Sequence, residues 1–171
     1  YDPILEWFGG AGPNDPCLVD IDADGDLDIF VGMSGGIIWH IANVGTPSSP
    51  DWVLNSTVEG IQTGLGAAFG DVDGDGDLDV VGFAADYSVK CWENIGTPQS
   101  YEFNMNPDMT SSVVVDPQEY PEDIELFDLD VDGDQDLLIA TLTDHNYFFL
   151  NDGPATSVEQ FSWGTIKALY R

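Results

Sequence analysis

Three stretches of this chain gather carboxylates at a spacing that suits a metal ion. They are Asp20-Ile21-Asp22-Ala23-Asp24-Gly25-Asp26-Leu27-Asp28, Asp71-Val72-Asp73-Gly74-Asp75-Gly76-Asp77-Leu78-Asp79 and Asp128-Leu129-Asp130-Val131-Asp132-Gly133-Asp134-Gln135-Asp136. We call them loops 1, 2 and 3. All read D-x-D-x-D-G-D-x-D, and together they hold fifteen of the 32 acidic residues, so nearly half of the negative charge is placed rather than scattered. Calcium takes about 6–8 oxygen ligands at roughly 2.3–2.6 Å from carboxylates, carbonyls and water. As such a loop curls, the side chains at positions 1, 3 and 5 converge on one point. Glycine at position 6 permits the sharp turn, position 7 offers a backbone carbonyl, and the Asp at position 9 closes the shell with one or both oxygens. All fifteen Asp are therefore candidate ligands. Asp26, Asp77 and Asp134 are expected to contribute carbonyls and to leave their side chains in water. Three calcium ions are the implied cofactor, because magnesium disfavours an all-protein carboxylate cage.

This borrows the front half of EF-hand logic, but an EF-hand needs a Glu at position 12 and flanking helices. Position 12 here is Val31, Gly82 or Ile139, in runs that read as strand. Converging carboxylates repel: two unit charges about 4 Å apart cost roughly 4 kcal/mol at an effective dielectric near 20. A cation among them turns repulsion into cohesion, and ion affinity then becomes folding stability.

The elements that hold the loops repeat with them. The loops are spaced by 51 and 57 residues, which signals a repeat architecture. Each loop runs into an apolar stretch (Ile29–Gly32, Val80–Phe83, Leu137–Ala140), then a small or polar turn. A second β-rich run follows (Ile37–Ile41, Ser88–Trp92, Asn146–Leu150), then an Asn-x-Gly turn at Asn43, Asn94 and Asn151. A fourth segment closes each unit, at Asp51–Leu54, Tyr101–Phe103 and Glu159–Trp163. Short β-branched and aromatic runs bounded by Gly, Pro and Asn are strand signals, and no amphipathic helix stands out. The expected fold is all-β, with very little helix and three four-stranded antiparallel units of the β-propeller-blade type. The expected divisions of this single repeat domain are 13–60, 61–112 and 113–171, with 1–12 a strand completing a neighbouring blade.

These units resemble the FG-GAP/VCBS repeats, the blades of integrin-α-type propellers and of secreted lectin-like and adhesion proteins. Phe69-Gly70 before loop 2 matches the family's FG pair, whereas Leu18-Val19 and Leu126-Phe127 stand there in the other units, and loop 3 carries Gln135 in place of Leu. The resemblance implies a calcium-binding structural or adhesive protein, extracellular or at the cell surface. Propellers usually have four to eight blades, so three point to self-association or to membership of a larger propeller or fibre. A lectin-like glycan-binding module is the alternative, with Trp39, Trp92, Trp163 and Tyr147 as stacking faces, although packing between blades is the favoured role of these rings.

Composition narrows the partners. A net charge of −29 with three basic residues argues against nucleic acid and against anionic membranes, both of which need Lys and Arg clusters. It also argues against an enzyme on acidic polysaccharides, and no nucleophile elbow, P-loop or dinucleotide fingerprint appears. An enzyme is not expected, and His40 and His145 read as structural. Cys17 and Cys91 are either two buried thiols or a disulfide between the first two units. Asn55-Ser56-Thr57 is an N-glycosylation sequon. Because position 7 lends only its carbonyl, Asp26→Ala is expected to lower the melting temperature in calcium less than Asp24→Ala, as read by circular dichroism.

Overall fold

The β-branched and aromatic runs between the loops pair into sheets. The computed structural model describes residues 15–33, 37–58, 66–84, 86–143, 145–151 and 163–166. The N-terminal segment 1–12 lies outside them, as do the turn residues 34–36 and the stretch 152–162. Among the described residues twelve strands form three four-stranded antiparallel sheets, each in simple up-and-down order. Sheet 1 contains β1 (Asp15–Val19), β2 (Asp28–Met33), β3 (Ile37–Asn43) and β4 (Trp52–Val58). Sheet 2 contains β5 (Ala67–Gly70), β6 (Asp79–Phe83), β7 (Val89–Asn94) and β8 (Phe103–Met105). Sheet 3 contains β9 (Pro121–Phe127), β10 (Asp136–Thr141), β11 (Tyr147–Asn151) and β12 (Trp163–Ile166). The helical content of the described residues is one 3-10 turn at Pro117–Glu119. Among those residues no helix is long and apolar enough to cross a membrane.

Each Asp loop connects the first two strands of its sheet. Val19 pairs with Asp28, Gly70 with Asp79 and Phe127 with Asp136, so the ninth loop residue is also the first residue of a strand. In sheets 1 and 2 the third and fourth strands are joined at the Asn-x-Gly turns. In sheet 1 the Asn43 Oδ1 accepts the Gly45 and Asp51 amides at 3.1 and 3.0 Å. In sheet 2 the Asn94 Oδ1 accepts the Gly96 and Glu102 amides at the same distances.

Two apolar cores lie between successive sheets. The first gathers Val19, Ile21, Phe30 and Ile38 of sheet 1 with Val80 and Trp92 of sheet 2. The second gathers Val81, Phe83 and Cys91 of sheet 2 with Ile124, Leu137, Ile139 and Phe149 of sheet 3. Sheet 2 is covered on both faces, which is why every residue of β6 is buried and why, after Asp79, Val80–Phe83 run apolar rather than alternating. Phe30 is central to the first core, stacking on the His40 ring at 4.4 Å and meeting Phe69 at 4.5 Å. The connector 106–120 completes the second core with Met109 and Val113, anchored by the Thr110 hydroxyl donating to the Val89 carbonyl at 3.1 Å. Sequence patterning assigned that connector no role.

Among individual side chains, one open choice is decided and one expectation changes. No disulfide joins Cys17 and Cys91. Cys91 is fully buried in the second core, while Cys17 packs against the first, so the two thiols serve opposite faces of sheet 2. His40 is buried, in keeping with a structural role, whereas the His145 side chain is 64% exposed and pairs with Glu119 at 3.1 Å.

Gly70 marks the closest approach of sheet 2 to sheet 3. A Cβ there would meet Leu126 Cδ1 at 3.0 Å and Gln135 Cγ at 3.4 Å. Gly70→Val is therefore expected to cost about 1–3 kcal/mol by overpacking. In a urea melt its cost combined with that of Leu126→Ala should fall short of the sum of the two single costs; full additivity would contradict the contact.

Candidate metal centres

The loop amides turn inward onto the loop's own carboxylates. At position 1, Asp20 accepts the Asp24 and Gly25 amides, each at 3.1 Å. Asp71 accepts Gly74 at 2.8 Å and Gly76 at 3.0 Å. Asp128 accepts Val131, Asp132 and Gly133 at 2.7, 3.1 and 3.2 Å. At position 5, Asp24, Asp75 and Asp132 each accept the amide two residues on, at 3.0, 2.9 and 3.2 Å. Two loop residues must be left-handed to make this curl. Position 6 is Gly25, Gly76 or Gly133, at φ of 94°, 96° and 103°. Position 4, which the sequence pattern left undefined, is Ala23, Gly74 or Val131, at 57°, 77° and 66°. A β-branched residue there is strained by about 1–3 kcal/mol, so loop 3 carries a cost at Val131 that loop 2 avoids with glycine.

The ninth residue does more than close a shell. Asp28, Asp79 and Asp136 are all buried. Their Oδ1 atoms accept the backbone amides of Asn43, Asn94 and Asn151 at 2.7, 2.9 and 2.9 Å. In loops 2 and 3 the Oδ2 also accepts the amide of loop position 2, from Val72 at 2.9 Å and Leu129 at 2.6 Å. Loop 1 differs: Asp28 Oδ2 faces His40 Nε2 at 3.6 Å, and His40 Nδ1 meets the Tyr101 hydroxyl at 2.8 Å. The role of the Asn residues beyond their turns was missed from sequence. The signal was present, since Asp and Asn are separated by 15 residues in all three units.

Carboxylate oxygens converge in each loop. Asp20, Asp22 and Asp24 form one group, Asp71, Asp73 and Asp79 a second, and Asp128, Asp130 and Asp136 a third, with all ligand atoms of a group within 4.8 Å of one another. Oxygens on opposite sides of one calcium shell lie about 5 Å apart, so these hard-oxygen sets fit that ion. Asp130, Asp132 and Asp134 make a further group in loop 3. Position 7 departs from expectation. Asp26 is only 4% exposed rather than solvated, and its Oδ1 has no hydrogen-bond partner among the described residues. Loop 1 is not a free surface turn, because Gln99 of the second unit donates its side-chain amide to the Asp22 carbonyl at 3.1 Å. Asp134 brings its carboxylate into the loop 3 cluster.

Residues 20–82, spanning loops 1 and 2, match the family model of the FG-GAP-like repeat. The comparisons with curated proteins and with solved structures give no match.

Crowding perturbs the carboxyls. Burial pushes Asp79 up to about 7, against the pull of the Asn94 and Val72 amides. Burial and then the Asp75 charge raise Asp73 to about 6. Burial, then the hydrogen bond and charge of Asp132, raise Asp134 to about 6. Burial also lifts Asp22, Asp26, Asp77 and Asp130. In the metal-free protein these groups bind protons more tightly folded than unfolded. Their stabilisation is present below the ordinary value of 3.8 and is lost as pH rises through about 6 to 7. Asp132, held low by the Asp134 hydrogen bond, acts below that window. The chelator-treated protein is therefore expected to melt at a lower temperature at about pH 8 than at about pH 5, with the calcium-induced shift growing over the same range.

Proposed function

We propose that this chain is a calcium-rigidified extracellular structural or adhesive repeat protein, its sheets packed as β-propeller-type blades that assemble with other copies or belong to a larger propeller or fibre. The observation that carries the calcium reading is the convergence of carboxylate oxygens in all three loops, each group within 4.8 Å, and in loops 2 and 3 the group includes the buried ninth Asp that is bonded to the end of the third strand. An ion there would tie the loop to three strands of its sheet at once. The blade arrangement is supported by the first strands, since β5 packs against both β1 and β9. Sheets that meet through their first strands fan out from a common axis, as blades do.

Extracellular calcium suits loops of this type, because extracellular modules bind it with dissociation constants of about 10⁻⁴–10⁻³ M. The structural reading is preferred to glycan binding because Trp92 is buried in the first core and Tyr147 packs against the second. Trp92, at 3% exposure, offers a sugar no open face. Catalysis forms no part of this reading, since the clustered carboxylates are assigned to the ion.

At ten times the dissociation constant each ion stabilises by about 1.4 kcal/mol. Calcium is expected to raise the melting temperature over the chelated protein, with three ions bound by calorimetric titration. Asp73→Asn, which keeps an oxygen to accept the Asp75 amide, should remove one ion and about a third of the shift. An unchanged melting temperature across millimolar calcium would overturn the proposal.

A further inference from the structure

Sheet 1 carries a polar ring at a position where the other two sheets do not. Three residues before the Asn that ends the third strand stands His40 in sheet 1, Cys91 in sheet 2 and Phe148 in sheet 3. Each pairs with the residue two beyond the ninth loop Asp, which is Phe30, Val81 or Leu138. His40 is buried and stacked on Phe30. Its Nδ1 meets the Tyr101 hydroxyl at 2.8 Å and the Asn55 side-chain nitrogen at 3.5 Å. An amide nitrogen only donates, so Nδ1 accepts and the neutral ring carries its hydrogen on Nε2. Nε2 is buried with no hydrogen-bond partner among the described residues, and Asp28 Oδ2 lies 3.6 Å from it. The converging carboxylates differ accordingly. In loops 2 and 3 the ninth Asp gives Oδ2 to a loop amide and belongs to the group, with Asp79 and Asp136 both members. In loop 1 the group is Asp20, Asp22 and Asp24; Asp28 lies outside it, and so does the buried Asp26.

From this difference we infer that His40 is a positioning residue that makes loop 1 the weak calcium site, by engaging the Asp28 carboxylate and withholding it from the ion. This rests on the calcium reading proposed above and adds an order of filling to it, with loops 2 and 3 first and loop 1 last. Affinity in an oxygen cage follows the number of charged ligands and the rigidity with which they are held. Asp79 and Asp136 are the first residues of β6 and β10, so their groups are fixed to a sheet, whereas every member of the loop 1 group lies within the loop. One strand-fixed charge fewer is expected to weaken binding about tenfold or more. Tyr101 and Gln99, which reach His40 and the Asp22 carbonyl, both come from the second unit. The last ion to bind therefore falls at the seam between sheets 1 and 2.

Calorimetric titration of calcium into the chelator-stripped chain tests this order. The wild-type chain is expected to bind two ions tightly and a third about tenfold more weakly. Asp22→Asn, which keeps an oxygen for the Asp24 amide, should delete the weak ion alone, whereas Asp73→Asn should delete a tight one. His40→Phe gives sheet 1 the residue that sheet 3 carries and keeps a ring against Phe30. Combined with Tyr101→Phe, which removes the hydroxyl it would orphan, it should tighten the third ion about tenfold. Tyr101→Phe alone frees the ring to carry its hydrogen on Nδ1 and should tighten the same ion about threefold, so the test stands even where the double variant fails to fold. Lost packing alone would weaken ions and tighten none. Three ions of equal affinity, a tight ion lost in Asp22→Asn, or a third ion unmoved by the ring and hydroxyl changes overturns the inference while the calcium reading stands. A chain that binds no calcium overturns both.

Discussion

A buried carboxylate bonded to backbone amides organises each unit. Asp28, Asp79 and Asp136 sit where loop, second strand and third strand meet, and each accepts the amide of an Asn 15 residues on. Hydrogen bonds to a charged acceptor are worth roughly 1.5–3 kcal/mol, whereas a buried carboxylate without partners would be strongly unfavourable. The loop therefore cannot move without disturbing the end of the third strand. The Asn turns the same junction outward, its side chain fixing the next turn while its amide serves the Asp. Loop conformation and strand order in the sheet are thus one mechanical unit.

That coupling explains why so acidic a chain can carry a dense core. Nearly half of the acidic residues are gathered on loops at the strand ends, which leaves the inward positions of the strands free to be apolar. Sheet 2 takes this furthest, with Val80 facing one neighbour and Val81 the other. Gly70 lets sheet 3 come close enough to share that core.

Much of this was legible in the sequence, for a physical reason. A loop that must place oxygens around a point cannot vary its spacing, so the Asp pattern identified the loops and their period, and β-branched runs located the strands beside them. Long-range consequences were not legible. Nothing in the pattern said that Asp26 would be buried, because its burial is a matter of tertiary packing, and the second unit closing over loop 1 is not visible in a nine-residue motif. The connector 106–120 looks like polar linker, yet Met109 and Val113 fill a core built by other elements. Left-handed backbone at position 4 was hidden because Ala23, Gly74 and Val131 share no side-chain property. The two cysteines were ambiguous since sequence does not say which face of a sheet a thiol occupies.

The two seams are not equal. Across the second, the Asn151 side chain reaches the Val72 carbonyl; at the first, the corresponding Asn94 Nδ2 is buried with no acceptor among the described residues. A buried donor left unanswered costs about 1–3 kcal/mol, and the described first core is also the smaller of the two. Under load, or in the slow breathing that admits solvent to backbone amides, the chain should part between sheets 1 and 2 first. Sheets 2 and 3 would then behave as a paired block on which the first sheet is hinged.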